Sequence, residues 1–256
     1  MLIDTHVHLD APEFTQDREA VLERARQSGV GCFVLPAVSA ANFQDVAALA
    51  AAHPEVHRAY GIHPLYVGDS RDEDLDLLDE RLSESGVVAV GEIGLDHFVD
   101  HIDLGLQEHY FVAQLRLARR HGLPVILHVR RAQDAILKQL RRIEVPGGIA
   151  HAFNGSLQQA EAFIALGFKL GFGGAMTYDG SRRIRQLAAG LPLDALVLET
   201  DAPDMPPSWG RGERNEPDNL PRYAEVLAGL RGVQLDEIVA ATGRNAWAAL
   251  PRLRSA

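Results

Sequence analysis

Cysteine is nearly missing. Cys32 is the only one in 256 residues, which excludes an intrachain disulfide and any zinc site built on cysteine. Its neighbours Gly31, Phe33, Val34 and Leu35 are apolar, as expected of a buried thiol in a reducing compartment and not of a nucleophile. Long apolar runs are also lacking: none approaches the roughly 18–20 residues that a membrane span needs. The opening Met1-Leu2-Ile3-Asp4-Thr5-His6 has neither the basic stretch nor the unbroken apolar stretch of a secretory signal. A cytoplasmic chain without a membrane partner is the expectation. Positive charge is in deficit, with 25 Lys and Arg against 35 Asp and Glu, a formal net charge of −10 and a pI near 5.5. Broad, non-specific clamping of duplex DNA needs a basic face to replace condensed counterions, and this chain lacks one. A local basic rim with bound cations could still grip a few phosphates.

What is present is an ordinary soluble composition, 46% hydrophobic and 23% charged, which excludes disorder, collagen and coiled coil. Short apolar or β-branched runs at 2–5, 31–35, 58–62, 87–92, 124–129, 148–152, 168–172 and 195–199 read as strands. Amphipathic stretches between them read as helices, and Gly or Pro marks many of the joins. Eight strands separated by helices predict a parallel sheet. At about 250 residues, eight such units match one closed (β/α)₈ barrel. An open doubly wound sheet is the alternative, but the Gly-rich phosphate fingerprint after the first strand is missing. No linker, composition shift or low-complexity tract divides the chain, so residues 1–256 read as a single barrel domain. Residues 203–221 form a long loop rich in Pro, Gly and charge, and two further helices close the chain.

In such a barrel the chemistry lies where strands end and the following loops begin. The first strand ends in His6-Val7-His8, the fourth in Gly91-Glu92-Ile93-Gly94-Leu95-Asp96, the fifth in His128, the sixth in His151, and the eighth in Glu199-Thr200-Asp201. Side chains two apart on a strand share a face, so His6 and His8 can hold one cation. Four of the 11 histidines fall at strand ends, which unrelated loop histidines would do only by accident. Neutral imidazole with carboxylate suits zinc, manganese, nickel or iron better than the all-oxygen shells that calcium and magnesium favour. Six ligands exceed what one tetrahedral ion uses. Two ions would use them all: His6, His8 and Asp201 on one, His128 and His151 on the other, and Glu92 bridging. Two ions about 4 Å apart can activate a water and stabilise both the attacking and the leaving oxygen. Asp201, at the edge of the first ion, could orient that water or take its proton. The catalytic candidates are therefore Asp201 and Glu92. The ions' identity stays open among zinc, manganese, magnesium, nickel and iron.

Substrate contacts are expected from His63, at the end of the third strand, as a phosphate contact or a supporting hydrogen bond. Arg130, two residues beyond His128, could clamp a phosphate or form a surface ion pair. Arg211 and Arg214 lie in the loop after Asp201, either walling a polyanionic substrate or solvated. Asp4 and Asp10 flank the H-x-H strand. Asp96 reads as a residue that fixes a loop or stands behind a ligand histidine. Glu199 needs a partner, a ligand histidine or Lys169. Histidines 53, 57, 101, 109 and 121 read as surface or packing residues.

The chain resembles the TatD family of metal-dependent hydrolases along nearly its whole length. The matching stretches include Ile3-Asp4-Thr5-His6-Val7-His8-Leu9-Asp10, Gly61-Ile62-His63-Pro64, Gly91-Glu92-Ile93-Gly94-Leu95-Asp96 and Pro124-Val125-Ile126-Leu127-His128. Further on they are His151-Ala152-Phe153-Asn154-Gly155, Leu198-Glu199-Thr200-Asp201-Ala202-Pro203 and Arg214-Asn215-Glu216-Pro217. The resemblance implies a (β/α)₈ metallohydrolase with two divalent ions and phosphodiesterase activity on nucleic acid, often as a 3′–5′ deoxyribonuclease. The six ligand candidates fall on the family's metal positions. His97-Phe98 departs from the aromatic pair that many members carry, and Asn245–Leu250 departs from a common Arg-Leu-Phe ending; neither touches a ligand.

The leading expectation is thus a two-metal phosphodiesterase acting on nucleic-acid ends or nucleotide phosphodiesters, with no obligate protein partner. An amidohydrolase-like enzyme on an amide, lactone or other small ester is the alternative. Many binuclear enzymes of that kind bridge their metals with a modified lysine on the fourth strand, where this chain has Glu92. A non-enzymatic metal-binding scaffold is the third reading, and it gains nothing from an open, carboxylate-rich mouth.

Overall fold

A computed structural model describes residues 1–99 and 102–254. The chain runs β1 (Leu2–Asp4), α1 (Arg18–Gln27), β2 (Val30–Pro36), α2 (Phe43–Ala52), β3 (Val56–Tyr60), α3 (Asp72–Leu82), β4 (Val87–Asp96) and α4 (Leu104–His121). It continues through β5 (Val125–Arg130), α5 (Gln133–Leu140), β6 (Gly148–Ala150), α6 (Leu157–Ala165), β7 (Phe168–Phe172), α7 (Arg182–Gly190) and β8 (Leu196–Leu198), and ends in α8 (Leu220–Arg231) and α9 (Leu235–Ala249). The strands form one eight-stranded sheet in the order β1 to β8, every neighbouring pair parallel. The seam between β8 and β1 is drawn together by the Thr5 N–H donating to the Leu198 carbonyl at 3.2 Å and the Asp201 N–H donating to the His6 carbonyl at 2.8 Å. The result is the expected parallel barrel, nearly closed, with helices outside.

The strands form because their residues are apolar on both faces, as a sheet covered on both sides requires; all ten residues of β4 are buried. Outward side chains pack on the helices. Inward ones form a second cluster of Ile3, Cys32, Val34, Ala59, Ile126 and Val197, among others, which Leu250 and Leu253 plug from below. Burial there pushes the Cys32 thiol up to about 12, so it is an inert packing group.

Strand ends differ from the sequence expectation in ways that matter for the mouth. β4 runs four residues past Glu92 because Gly94, Leu95 and Asp96 pair with His128, Val129 and Arg130. A Cβ at Gly94, whose φ is +152°, would collide with the His128 backbone, so glycine is what lets the two strands close there. β6 and β8 instead stop at Ala150 and Leu198, leaving His151, Glu199 and Asp201 on the turns that follow. β3 begins two residues earlier than expected, and His57 lies within it, buried.

One helix holds two strand ends in place. The face α4 turns inward carries Gln107 and Gln114 among its apolar residues, both fully buried. Gln107 accepts from the Asp96 N–H at 2.8 Å and donates to the Asp96 carbonyl at 3.1 Å. Gln114 does the same for Ile62, at 2.7 and 3.0 Å. Each amide satisfies the buried N–H and carbonyl of one residue, at the end of β4 and just past β3, that would otherwise be costly, and so fixes the chain beside Asp96 and His63.

Candidate metal centre and mouth

The side chains expected from the strand ends converge at the C-terminal mouth of the barrel. His6 and His8 turn their Nε2 atoms toward each other at 3.2 Å. Glu92 Oε2 lies 3.1 Å from His6 Nε2 and 3.7 Å from His8 Nε2. Asp201 Oδ1 is 3.6 Å from both rings. The other oxygen of Glu92 faces a second group: Oε1 is 3.0 Å from His128 Nδ1, 3.4 Å from His63 Nε2 and 3.7 Å from His151 Nε2. His151 Nε2 also lies 3.9 Å from Asp201 Oδ2. Glu92 is 2% exposed. It is thus a buried carboxylate with one oxygen in each of two imidazole groups.

The donor chemistry fits divalent cations. Imidazole nitrogens facing one another beside carboxylate oxygens can all be satisfied by a cation between them, and by little else. Among the described residues three overlapping sets bring such atoms together: His6 with Glu92 and His151, His6 with His8 and Asp201, and His63 with Glu92 and His128, the His63 nitrogen of the last carrying a proton. The electrostatics divide the cluster: against burial, Asp201, Glu199 and Glu92 raise His151 to about 10, and Asp96 and Glu92 raise His128, so positive charge is drawn to these two rings. Burial and the neighbouring His151 hold His6 well below its usual value, so its ring is neutral. Burial alone would raise Glu92, but His63, His6, His151 and the hydrogen bond with His128 hold it well below the carboxylate range. Burial raises Asp201 to about 6 against the pull of His151 and His8.

Two of the histidines are backed by carboxylates, the arrangement that fixes ring orientation and tautomer in metal sites. His128 Nε2 meets Asp96 Oδ2 at 3.0 Å, leaving Nδ1 toward Glu92. His151 Nδ1 lies 3.2 Å from Glu199 Oε1, which also accepts from the Ala152 N–H at 2.5 Å. Glu199 thus finds its partner in a histidine of the cluster, not in Lys169. Asp4 accepts from the Thr200 N–H at 2.9 Å and from its hydroxyl at 2.5 Å, and burial raises it to about 8 despite these bonds. It braces the turn that carries Asp201, whose φ of +58° is left-handed, a conformation Asp tolerates better than most residues.

His63 sits in the cluster in a different role. The Leu65 N–H donates to His63 Nδ1 at 3.1 Å, so in the neutral ring the proton is on Nε2. That nitrogen, 3.0 Å from His128 Nδ1 and 3.4 Å from Glu92 Oε1, is a donor and has no lone pair to give a metal. The choice left open between phosphate contact and supporting hydrogen bond therefore narrows to a donor role, one that the strand-end pattern alone could not assign.

Above the cluster opens a cavity of about 1280 Å³. Arg130 lines it, half-exposed, with its guanidinium 3.9 Å from the Phe98 ring centre and 3.7 Å from Asp96. Arg131, at φ +54°, stacks on the same ring at 4.5 Å, and Arg183 reaches the cavity from α7. Neither residue was expected. Strand alternation points Arg131 away from the mouth, and only its left-handed turn brings it back.

Arg214 requires a correction. It does not line the cavity but is locked below it, forked onto Asp17 at 2.8 and 2.7 Å, paired with Glu216 at 2.6 Å and stacked over Phe14. Its neighbour Asn215, fully buried, donates to the carbonyls of Thr200 and Asp204 and accepts from the Tyr223 hydroxyl. The Arg-Asn-Glu segment therefore fastens the long loop after β8 and holds Arg214 on Asp17 and Glu216. Arg211 is exposed and also outside the cavity lining. Among the remaining histidines, 53, 109 and 121 face Glu19, Asp72 and Asp79 away from the mouth; His101 lies outside the described residues.

Comparison with known proteins places the chain in a family. The chain is 45% identical over 248 residues to an uncharacterized metal-dependent hydrolase, YjjV of Escherichia coli K12, covering 96% of each chain. The crystal structure of YjjV, described as a TatD homolog, superposes with a TM-score of 0.95 at 44% identity, covering 98% of each chain. A protein of Erwinia tasmaniensis named 3′-5′ ssDNA/RNA exonuclease TatD is 34% identical over 254 residues, covering 96% of this chain and 98% of that one. The family model described as TatD related DNase matches residues 3–250. No helix among the described residues is long and apolar enough to cross a membrane. On sequence, fold and the chemistry of its mouth, the chain belongs to the TatD family of metal-dependent hydrolases.

Proposed function

We propose that the chain is a phosphodiesterase of nucleic-acid or nucleotide substrates, acting as a 3′–5′ exonuclease on single-stranded or frayed ends with two divalent ions in its mouth. The observation that carries this reading is Glu92, which presents one oxygen to His6 and His8 and the other to His128 and His151. His6, His8 and Asp201 would hold one ion, and His128 and His151 the other, with Glu92 shared. When bound, divalent ions at such donors lower the pKa of a water and neutralise the oxygens of a scissile phosphate.

The chain's own groups do the rest. Asp201, at the edge of the His6–His8 pair, accepts the proton of the attacking water. Asp96 and Glu199 hold the rings of His128 and His151 in register. The His63 Nε2–H donates to a phosphoryl oxygen, and Arg130 grips a neighbouring phosphate. The nuclease names of relatives such as the Erwinia protein support this substrate class.

Four measurements test the reading. Elemental analysis after saturation with metal is expected to give about two divalent ions per chain, one for each imidazole group; saturation at one would remove the shared role of Glu92, and saturation at zero the whole centre. Turnover is expected on a generic phosphodiester and not on amide or lactone panels. A linear single strand should be cleaved in preference to a circular one of the same composition. Affinity should fall gently with salt, since each neutralised phosphate contributes only about 0.7 to the slope on single strands. Lactone or amide turnover without diester turnover would give the site to amidohydrolase-like chemistry.

A further inference from the structure

The cavity above the metal centre is electrically two-sided, and the barrel order decides which side is which. Adjacent strands β8, β1 and β2 lead into Asp204, Glu13 and, in α2, Asp45; all three are exposed and line the cavity. Strands β4 and β5, across the barrel from β1, lead into Phe98, Arg130 and Arg131. Arg183, on α7 between β7 and β8, stands between the two sides, its Nε donating at 3.2 Å to the Asn154 side chain in the loop after β6.

Arg18 and Arg211 also carry positive charge in the segments of the acidic side, but neither lines the cavity. On the acidic side Arg18 donates to the Leu9 and Asp10 carbonyls, Asp10 is bonded by Asn42, and Arg214 is neutralised by Asp17 and Glu216. On the basic side Asp96 is fully buried, with one oxygen toward His128 and the other accepting from the Phe98 N–H. Phe98 is 44% exposed and carries two guanidinium groups within 4.5 Å. An exposed ring beside paired arginines is the composition that single-stranded nucleic acid binds, bases stacking while phosphates pair.

We propose that this asymmetry selects a strand terminus that carries no phosphate. The inference rests on the phosphodiesterase reading and gives it a physical reason for working from an end. The strand's continuing phosphates lie along Phe98, Arg130 and Arg131, with the scissile phosphate over the metal centre. Whatever lies beyond it faces Glu13, Asp45 and Asp204. A neutral terminal nucleoside is tolerated there; a further phosphate, bringing roughly 1.5–2 negative charges, is repelled.

The test compares two eight-nucleotide thymidine strands, one ending in a 3′-hydroxyl and one in a 3′-phosphate, on the metal-loaded chain. Binding is read by fluorescence anisotropy on versions whose last linkage is a non-hydrolysable methylenephosphonate, and cleavage on natural strands. The hydroxyl end should bind about tenfold tighter, as expected for two charges added within a Debye length of three carboxylates. The triple variant Glu13→Gln, Asp45→Asn, Asp204→Asn, all surface changes, should narrow that gap to about threefold or less. Arg131→Asn, which keeps a residue suited to the left-handed turn, combined with Arg130→Gln, should weaken both strands and flatten the salt slope by about 0.7 per arginine. Equal binding of the two ends by the natural chain, or a gap that survives the triple variant, overturns the proposal. End discrimination in binding with no cleavage of either strand would instead overturn the nuclease reading and leave the two-sided mouth standing.

Discussion

Replacing Glu92 with Gln is expected to leave a folded barrel that binds at most one divalent ion tightly and turns over on the order of 10³-fold more slowly, several kcal/mol at about 1.36 per decade. The change is nearly isosteric, so packing around a side chain that is 2% exposed is preserved. Only one of the two amide termini is an oxygen. The other is an NH₂ that must face either the His6–His8 group or the His128 group, where it offers a proton to ring nitrogens whose lone pairs are wanted for metal. The negative charge that draws a second cation into a buried space is also lost. Metal content by elemental analysis and steady-state kinetics measure the effect, and a thermal melt confirms folding. Two tightly held ions with an unimpaired rate would remove Glu92 from the centre.

The barrel was legible because a parallel strand buried on both faces must be apolar almost throughout. Eight such runs at helix-sized intervals leave little choice of architecture. The polar residues that follow those runs at one end only are then conspicuous: strand direction points Glu92 and His128 to the mouth, while His6, His8, His151 and Asp201 reach it from the turns just past β1, β6 and β8. Asp96 and Glu199 followed from the need of a buried imidazole for a partner, and their partners, His128 and His151, are in reach.

What could not be read depends on turns and on distant pairings. Arg131 enters the cavity because its backbone turns left-handed at φ +54°, and strand alternation carries no information about that. Arg214 was drawn toward substrate by its place after Asp201, yet it pairs with Asp17, 197 positions away, and no local pattern forecasts such a contact. The role of His63 turned on one hydrogen bond from the Leu65 N–H, which fixes a proton position invisible in sequence. Gln107 and Gln114 read as ordinary polar residues of an amphipathic helix, and only the fold makes them supports for Asp96 and Ile62. For Arg131, Arg214 and His63 the missing information was where a side chain points after the regular element ends; for the two glutamines it was which backbone groups α4 packs against.

Asp201→Asn isolates the proton-accepting role more cleanly than any truncation. Asp201 occupies a left-handed turn at φ +58°. Asn is enriched there, whereas Ala would strain the backbone by roughly 1–2 kcal/mol and confound loss of chemistry with loss of structure. The Asn oxygen can still sit near His6 and His8, 3.6 Å from either ring in the present arrangement, and the Asp201 N–H bond to the His6 carbonyl is untouched. What the amide cannot do is accept a proton or supply charge. Turnover is therefore expected to fall by about 10²–10⁴-fold, the usual cost of losing a general base, with KM for a small diester changed far less. Metal content should stay near two ions per chain, or drop only at the His6–His8 group. Rate, metal content and the pH dependence of kcat must be read together: a slow enzyme with full metal and a flattened acid limb identifies Asp201 as the proton acceptor. A slow enzyme that has lost its metal makes Asp201 a ligand first. A near-normal rate with both ions bound assigns the proton elsewhere in the mouth.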